Sequence, residues 1–137
     1  MGPHQMKSKT YASLKRKLDK VFSEFIRRQY VGAYGRAMCV SCGMVAHFKT
    51  MHCGHFVSRV RLATRWDEEN CAVQCPRCNI FLAGNAVGYA RWLENRYGPS
   101  IFAALDERSK QPVKFRRSDL QAMIDKYTAK IKELPRV

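Results

Sequence analysis

The chain lacks any apolar run long enough to cross a membrane. Nowhere do eighteen apolar residues follow one another, so no transmembrane helix is expected. The N-terminus, MGPHQMKSKT, has no apolar h-region, so no secretory leader is expected either. Acids are scarce: 11 Asp and Glu stand against 25 Lys and Arg among 137 residues, a formal charge of +14. A well-solvated basic surface is the bland account of that excess, and a polyanionic partner, most commonly nucleic acid, is the better one. There is no internal repeat and no low-complexity tract, and the length suits one domain with helical extensions. Without a leader, the six cysteines are expected in a reducing compartment. There disulfides are disfavoured, and paired C-x-x-C knuckles read as metal ligands.

Leu14, Leu18, Val21, Phe22, Phe25 and Ile26 recur at three- and four-residue steps and predict an amphipathic helix over 13–30, capped by Ser13. Its other face carries Lys15, Arg16, Lys17, Lys20, Arg27 and Arg28, either as a solvated face or as a phosphate-contacting or dimer-forming arm. Gly32 and Gly35 close this segment. Residues 45–58 read as short strand interrupted at Gly54, 59–69 as a basic loop, and 70–74 as a second strand. Pro76 is expected to open a helix ending near Gly84. Asn85 caps the next, which Gly98 closes, and 99–108 forms another. After the basic linker KQPVKFRR, Ser118 is expected to cap a last helix, with Gln121 completing a capping box. Its stripe is Leu120, Ile124, Tyr127, Ile131 and Leu134.

Cys39 and Cys42 form one knuckle, and Cys75 and Cys78 another. Together they supply the four thiolates of a structural zinc site. The 32 residues between Cys42 and Cys75 exceed the roughly 15–20 of a simple zinc ribbon. An inserted catalytic hairpin would need that excess. Cys53 and Cys71 lack knuckle spacing and read as small buried apolar residues.

Within the insertion, His55 is the candidate general base, since a neutral imidazole can take a water proton near pH 7. Asn79, directly after Cys78, offers a carbonyl oxygen to a hard divalent ion, Mg2+ or Mn2+. Asn70 can fix the His55 ring or backbone, and His52 can be a second ligand of the catalytic ion. Each has a bland alternative: a lone histidine is more often structural, and an asparagine after a cysteine is often a helix cap. The weight lies in the constellation G-H-F-x-S-R followed by N-x-x-x-Q-C-x-x-C-N, which suggests a ββα-metal (HNH-type) nuclease rather than a plain zinc finger. In a regular strand His52 and His55 would face opposite ways, so sharing a metal requires a bulge at Gly54. His47 has no motif support and reads as structural. Arg59, Arg61 and Arg65 on the joining loop can hold phosphates or transition-state charge. Lys15, Arg27, Arg28, Arg116 and Arg117 are further candidate DNA contacts.

The stretch CVSCG…HCGHFVSR…TRWDEEN…QCPRCNIFLAGN…Y…L…YG resembles the NinG/Rap family of lambdoid-phage recombination proteins. The motifs are the double knuckle, G-H-[FY], R-x-[DN]-E-x-N, Q-C-x-x-C-N and G-N, and the likeness runs from near Leu14 to near Leu134. It implies structure-selective cleavage of branched DNA, chiefly Holliday junctions and D-loops, in a bacterial host cytoplasm. A more distant likeness is to the endonuclease VII branch of junction resolvases. That likeness implies zinc on Cys39, Cys42, Cys75 and Cys78, His55 as base and Asn79 as ligand of magnesium or manganese. The chain departs from the pattern at His52, where an aspartate ligand is expected. Histidine there favours manganese or a later transition ion; alternatively Cys53 or a water fills that role and His52 is a bystander. The family's basic, cysteine-containing N-terminal extension has no counterpart in this sequence.

The expected fold is α+β and mostly helical, a small zinc-stabilised ββα-metal (HNH-like) core flanked by N- and C-terminal helices. Residues 1–12 are expected as a disordered basic tail or tag remnant, 13–36 as the N-terminal helix, 37–98 as the nuclease core and 99–137 as a helical extension. The expected activity is metal-dependent cleavage of branched DNA by a homodimer, with residues 13–30 and 118–134 as dimer elements. The rivals are an HNH nuclease of linear or nicked duplex and a non-catalytic zinc adaptor for nucleic acid.

Overall fold

The computed structural model of the chain describes residues 9–137. Helix α1 (Tyr11–Arg28) starts behind Thr10, whose hydroxyl accepts the Ser13 N–H at 3.1 Å. The cap is therefore Thr10 rather than Ser13, because the extended conformation of Thr10 aims its oxygen at the open N–H groups of the first turn. The tail expected over 1–12 lies largely outside the described residues, and its last part belongs to this cap and helix.

The stripe Leu14, Leu18, Phe22, Phe25 and Ile26 is buried against the last helix, α5 (Arg117–Glu133), which contributes Leu120, Ile124 and Tyr127. The Tyr127 ring meets Phe22 edge-on at 4.9 Å. Each such buried side chain stabilises the fold by roughly 1.5–3 kcal/mol. The stripes of both helices are thus covered within one chain, and only their outer faces remain for a second copy. At the start of α5 the Arg116 N–H donates to the Asp119 carboxylate at 2.7 Å. Only this half of a capping box forms, on Arg116 and Asp119 instead of Ser118 and Gln121, because the Arg116 guanidinium has no acceptor to return to the Asp119 N–H.

Two small antiparallel sheets carry the middle of the chain. Strands β1 (Arg36–Met38) and β2 (Val45–His47) pair with Ala37 opposite Ala46 and present the first knuckle at their tip. A 3-10 turn at Phe48–Thr50 separates β2 from β3 (His52–His55), so 45–58 is not one interrupted strand. Strand β3 pairs with β4 (Cys71–Gln74) in the unbroken register His52↔Gln74, Cys53↔Val73, Gly54↔Ala72 and His55↔Cys71. The bulge at Gly54 that a metal shared by His52 and His55 would require does not occur. Glycine is needed there because the Gln74 side chain lies across the backbone: a Cβ would meet its Oε1 at 1.9 Å. The basic loop between these strands holds one short helix, α2 (Leu62–Arg65).

Beyond Cys75 the backbone forms a π-type turn at Arg77–Phe81, closed by the Leu82 N–H on the Arg77 carbonyl at 2.9 Å. An α-helix reaching Gly84 was expected there, but the wider turn lets Asn79 project beside the hairpin. Helices α3 (Ala86–Tyr97) and α4 (Ile101–Ser109) follow, and Tyr89, Leu93, Ile101 and Leu105 pack with Ala72 in a separate core. Only a glycine at position 88 permits α3 to approach the first knuckle, since a Cβ would meet the Ser41 carbonyl oxygen at 2.2 Å. The whole is α+β and mostly helical, and no described helix is long and apolar enough to cross a membrane.

Candidate functional site

The hairpin β1–β2 and the turn after β4 bring Cys39, Cys42, Cys75 and Cys78 together. One sulfur from each lies within 4.8 Å of the others, with Cys42 and Cys75 Sγ at 3.7 Å. Backbone N–H groups of Met44 and Cys78 point at the Cys42 and Cys75 sulfurs at 3.5 and 3.4 Å, and the Asn85 amide points at Cys78 at 3.4 Å. Such donors suit sulfurs that carry negative charge. Asn85, expected as a helix cap, makes no capping hydrogen bond and serves this cluster instead. Burial pushes the Cys39 thiol up, but backbone hydrogen bonds around it prevail and hold it below the ordinary range. Cys78 is pushed up to about 12 by burial and by the neighbouring thiols. Four sulfurs this close cannot all ionise without a cation between them, and four soft ligands so gathered can hold a structural metal such as zinc.

A cleft of about 270 Å³ runs between α1 and the free edge of β3. His52, His55 and Asn79 all border it, as do Asp19, Arg27, Arg59 and Arg65. With no bulge, His52 and His55 stand on opposite faces of β3 and share the border of the cleft rather than one ligand set. The Asn79 amide nitrogen lies 3.0 Å from His52 Nδ1. If the amide rotates to present its oxygen, that spacing matches neighbouring corners of an octahedron, where bonds of roughly 2.1 Å place ligands about 3 Å apart.

His55 Nε2 lies 2.8 Å from the Arg65 carbonyl oxygen. A carbonyl can only accept, so Nε2 carries the hydrogen and Nδ1 the lone pair. Burial pushes the His55 pKa below its ordinary value, the Arg65 carbonyl opposes this, and the charges of Arg59 and Arg65 push it down further. The imidazole is therefore neutral at pH 7.

Asn70 does not touch the His55 ring. Fully buried, it accepts the Val57 N–H at 2.8 Å and donates to the Val57 and Thr64 carbonyls, each at 3.0 Å. It clamps the two ends of the basic loop and so sets the Arg65 carbonyl that orients His55. Its place is that of a positioning residue, not a catalytic one. Tyr89 adds to the clamp, donating to the Gly54 and Asn70 carbonyls at 2.9 and 3.3 Å.

Asp19, on the basic face of α1, gathers the loop. Its carboxylate accepts Arg65 Nε and Nη2 at 3.0 and 2.6 Å, the Trp66 indole at 2.9 Å and Arg59 Nη2 at 3.2 Å. Burial raises its pKa, but the Arg65 bonds and charge, the indole and Arg59 outweigh this and hold it below the ordinary carboxylate value. The Arg65 side chain is only 13 % exposed and acts on the loop itself, whereas Arg59 and Arg61 are exposed. Among the other basic candidates, Arg27 lines the cleft and donates to the Phe48 carbonyl at 3.1 Å. Lys15, Arg28, Arg116 and Arg117 do not line it, and Arg28 pairs with Glu24 at 3.5 Å. Sequence reasoning missed Asp19, because one of two acids on a helix of cations reads as part of a solvated face.

A small α+β domain held by a four-cysteine cluster beside a basic, histidine-lined cleft defines the class. The chain belongs to the NinG family: the model of the bacteriophage lambda NinG protein matches residues 3–136. A phage recombination role fits this membership. No curated protein and no solved structure matches the chain.

Proposed function

We propose that this chain is a metal-dependent endonuclease cutting branched DNA, Holliday junctions and D-loops, in phage recombination within the host cytoplasm. The β3–β4 hairpin and the turn carrying Asn79 serve as a ββα-metal, HNH-like core. The observation that carries the reading is His55, fixed by its Nε2 bond to the Arg65 carbonyl, in the same cleft as the 3.0 Å pair of His52 and Asn79.

Nδ1 of His55 takes a proton from the water that attacks phosphorus in line. The bond to the 3′ oxygen breaks, leaving a 5′-phosphate and, once that oxygen gains a proton, a 3′-hydroxyl. His52 and Asn79 would hold magnesium or manganese, which when bound supplies positive charge to the phosphate and leaving oxygens. Arg59 and Arg61 hold neighbouring phosphates, and Arg65 positions the loop. A two-fold homodimer would set two such sites on paired strands of a junction; it must use surfaces other than the stripes packed between α1 and α5.

The test is cleavage of a synthetic four-way junction beside a linear duplex of the same arms, in magnesium, in manganese and with chelator. Symmetric, metal-dependent junction cuts lost in His55→Ala support the proposal. Equal cutting of duplex makes the chain a general HNH nuclease, and tight binding without cutting makes it a zinc adaptor.

A further inference from the structure

Cys53 and Cys71 belong to neither the four-cysteine cluster nor the cleavage chemistry above. In the β3–β4 register Cys71 stands opposite His55, and Cys53 opposite Val73. Side chains two apart on a strand share a face, so Cys53, His55 and Cys71 all point to one side of the hairpin. The Phe56 N–H donates to the Asn70 carbonyl at 2.9 Å. Bonded and unbonded pairs alternate, which puts His55 and Cys71 at a close, unbonded position. One ligand atom from each of the three residues lies within 4.8 Å of the others. Cys71 is buried, while Cys53 and His55 are half-buried and border the cleft.

We propose that Cys53, His55 and Cys71 form a second metal site, for zinc or an ion of similar softness, with its fourth position open to the cleft. Two thiolates and one imidazole are a donor set that selects zinc over magnesium. The two thiols lose their protons to solvent as the ion enters, so a dication is balanced by two thiolates and no net charge is buried. A disulfide fits the register less well. Cys53 and Cys71 are diagonal neighbours, a relation that sets Cα atoms about 7–8 Å apart, beyond the roughly 6.8 Å that a disulfide spans. An ion about 2.3 Å from each sulfur bridges that wider gap with side-chain rotation alone. Two unrelated buried cysteines would not need a histidine between them, nor an opening to the cleft. Occupancy would take His55 out of proton transfer and silence cleavage. That consequence rests on the nuclease reading; the site itself does not.

The experiment measures zinc per chain by plasma emission after loading the full protein and dialysing against metal-free buffer. Wild type is expected to retain two zinc ions. Cys53→Ala and Cys71→Val are each expected to retain one, or to bind the second at least tenfold more weakly, with unchanged circular dichroism. Cobalt added to wild-type protein carrying a single zinc should give the absorption of tetrahedral cobalt–thiolate, and Cys53→Ala should not. One zinc in wild type as in the variants overturns the proposal. So does loss of two thiols with a 2 Da fall in mass under peroxide, which would assign a disulfide. Junction cleavage in magnesium with one zinc per chain reads the nuclease separately, so either reading can fail alone.

Discussion

The Arg65 carbonyl oxygen receives His55 Nε2 at 2.8 Å, while the Arg65 side chain is held by Asp19 at 2.6 Å. One loop residue thus orients the imidazole through its backbone and is itself anchored to α1 through its guanidinium. Under the proposed mechanism, His55→Ala lowers the junction cleavage rate by about 10²–10⁴-fold, the usual worth of a positioned base. Junction affinity in the same variant stays within about twofold. Single-turnover cleavage and a binding titration on one preparation check both.

Asn70→Ala removes a fully buried side chain with three hydrogen bonds to loop backbone. Leaving the Val57 N–H and the Val57 and Thr64 carbonyls unpaired should cost about 2–4 kcal/mol of stability. Urea unfolding measures it. A drop in cleavage should accompany it, because the Arg65 carbonyl loses its setting.

Asp19 supplies a pH dependence. Its carboxyl titrates below the ordinary 3.8 in the folded chain, chiefly because the bonds and charge of Arg65 outweigh burial. A carboxylate with a depressed folded pKa stabilises the fold above its unfolded value, and that contribution is lost as pH falls through the lower, folded value. Stability of the wild type should therefore fall more steeply below about pH 3.8 than that of Asp19→Asn. Thermal unfolding between pH 2 and 5 shows the difference in slope.

The four-cysteine cluster joins two sheets and the turn before α3. Metal binding in small domains of this kind is largely folding energy. A strong chelator, or Cys39→Ser, should abolish the cooperative thermal transition, with zinc restoring it only in wild type. A chain that keeps its melting temperature without metal would count against a structural ion.

Arg61 and Arg65 should behave differently although both lie on the basic loop. Exposed Arg61, as a phosphate contact, should when changed to Ala weaken DNA binding at every sequence and reduce the salt slope by about one. Arg65→Ala should instead lower stability, since it strips the Asp19 anchor. Binding isotherms across a salt series, beside thermal melts, separate the two.

Local signals were legible in the sequence wherever one element decides its own form. The apolar spacing of α1 and α5, the paired knuckles, the strand leading into Cys75 and the glycine after Tyr97 all stand where periodicity and turn chemistry put them. The knuckle spacing also pointed to the four-cysteine cluster, because each C-x-x-C pair aims two sulfurs at one point and two pairs make up a zinc shell. Helix caps shifted by two or three residues, since several polar residues near a helix start compete for the same N–H groups.

What lies between distant segments depended on the tertiary structure alone. Asp19 reads as one charge on a solvated face until α1 is laid beside the loop, 46 residues on, that carries Arg65. Gly54 reads as an interruption of the strand until the Gln74 side chain is seen to cross it. Asn70 reads as a group that fixes the His55 ring or backbone until its hydrogen bonds are found on Val57 and Thr64. Cys53 and Cys71 read as filler until the register sets them around His55. The amino-acid sequence by itself determined the basic charge, the helical stripes and the knuckle ligands, because each is a matter of composition or short spacing. Packing decided which charges are anchored, which polar side chains hold the loop and which sulfurs meet, because contacts between segments far apart in the chain leave no local pattern.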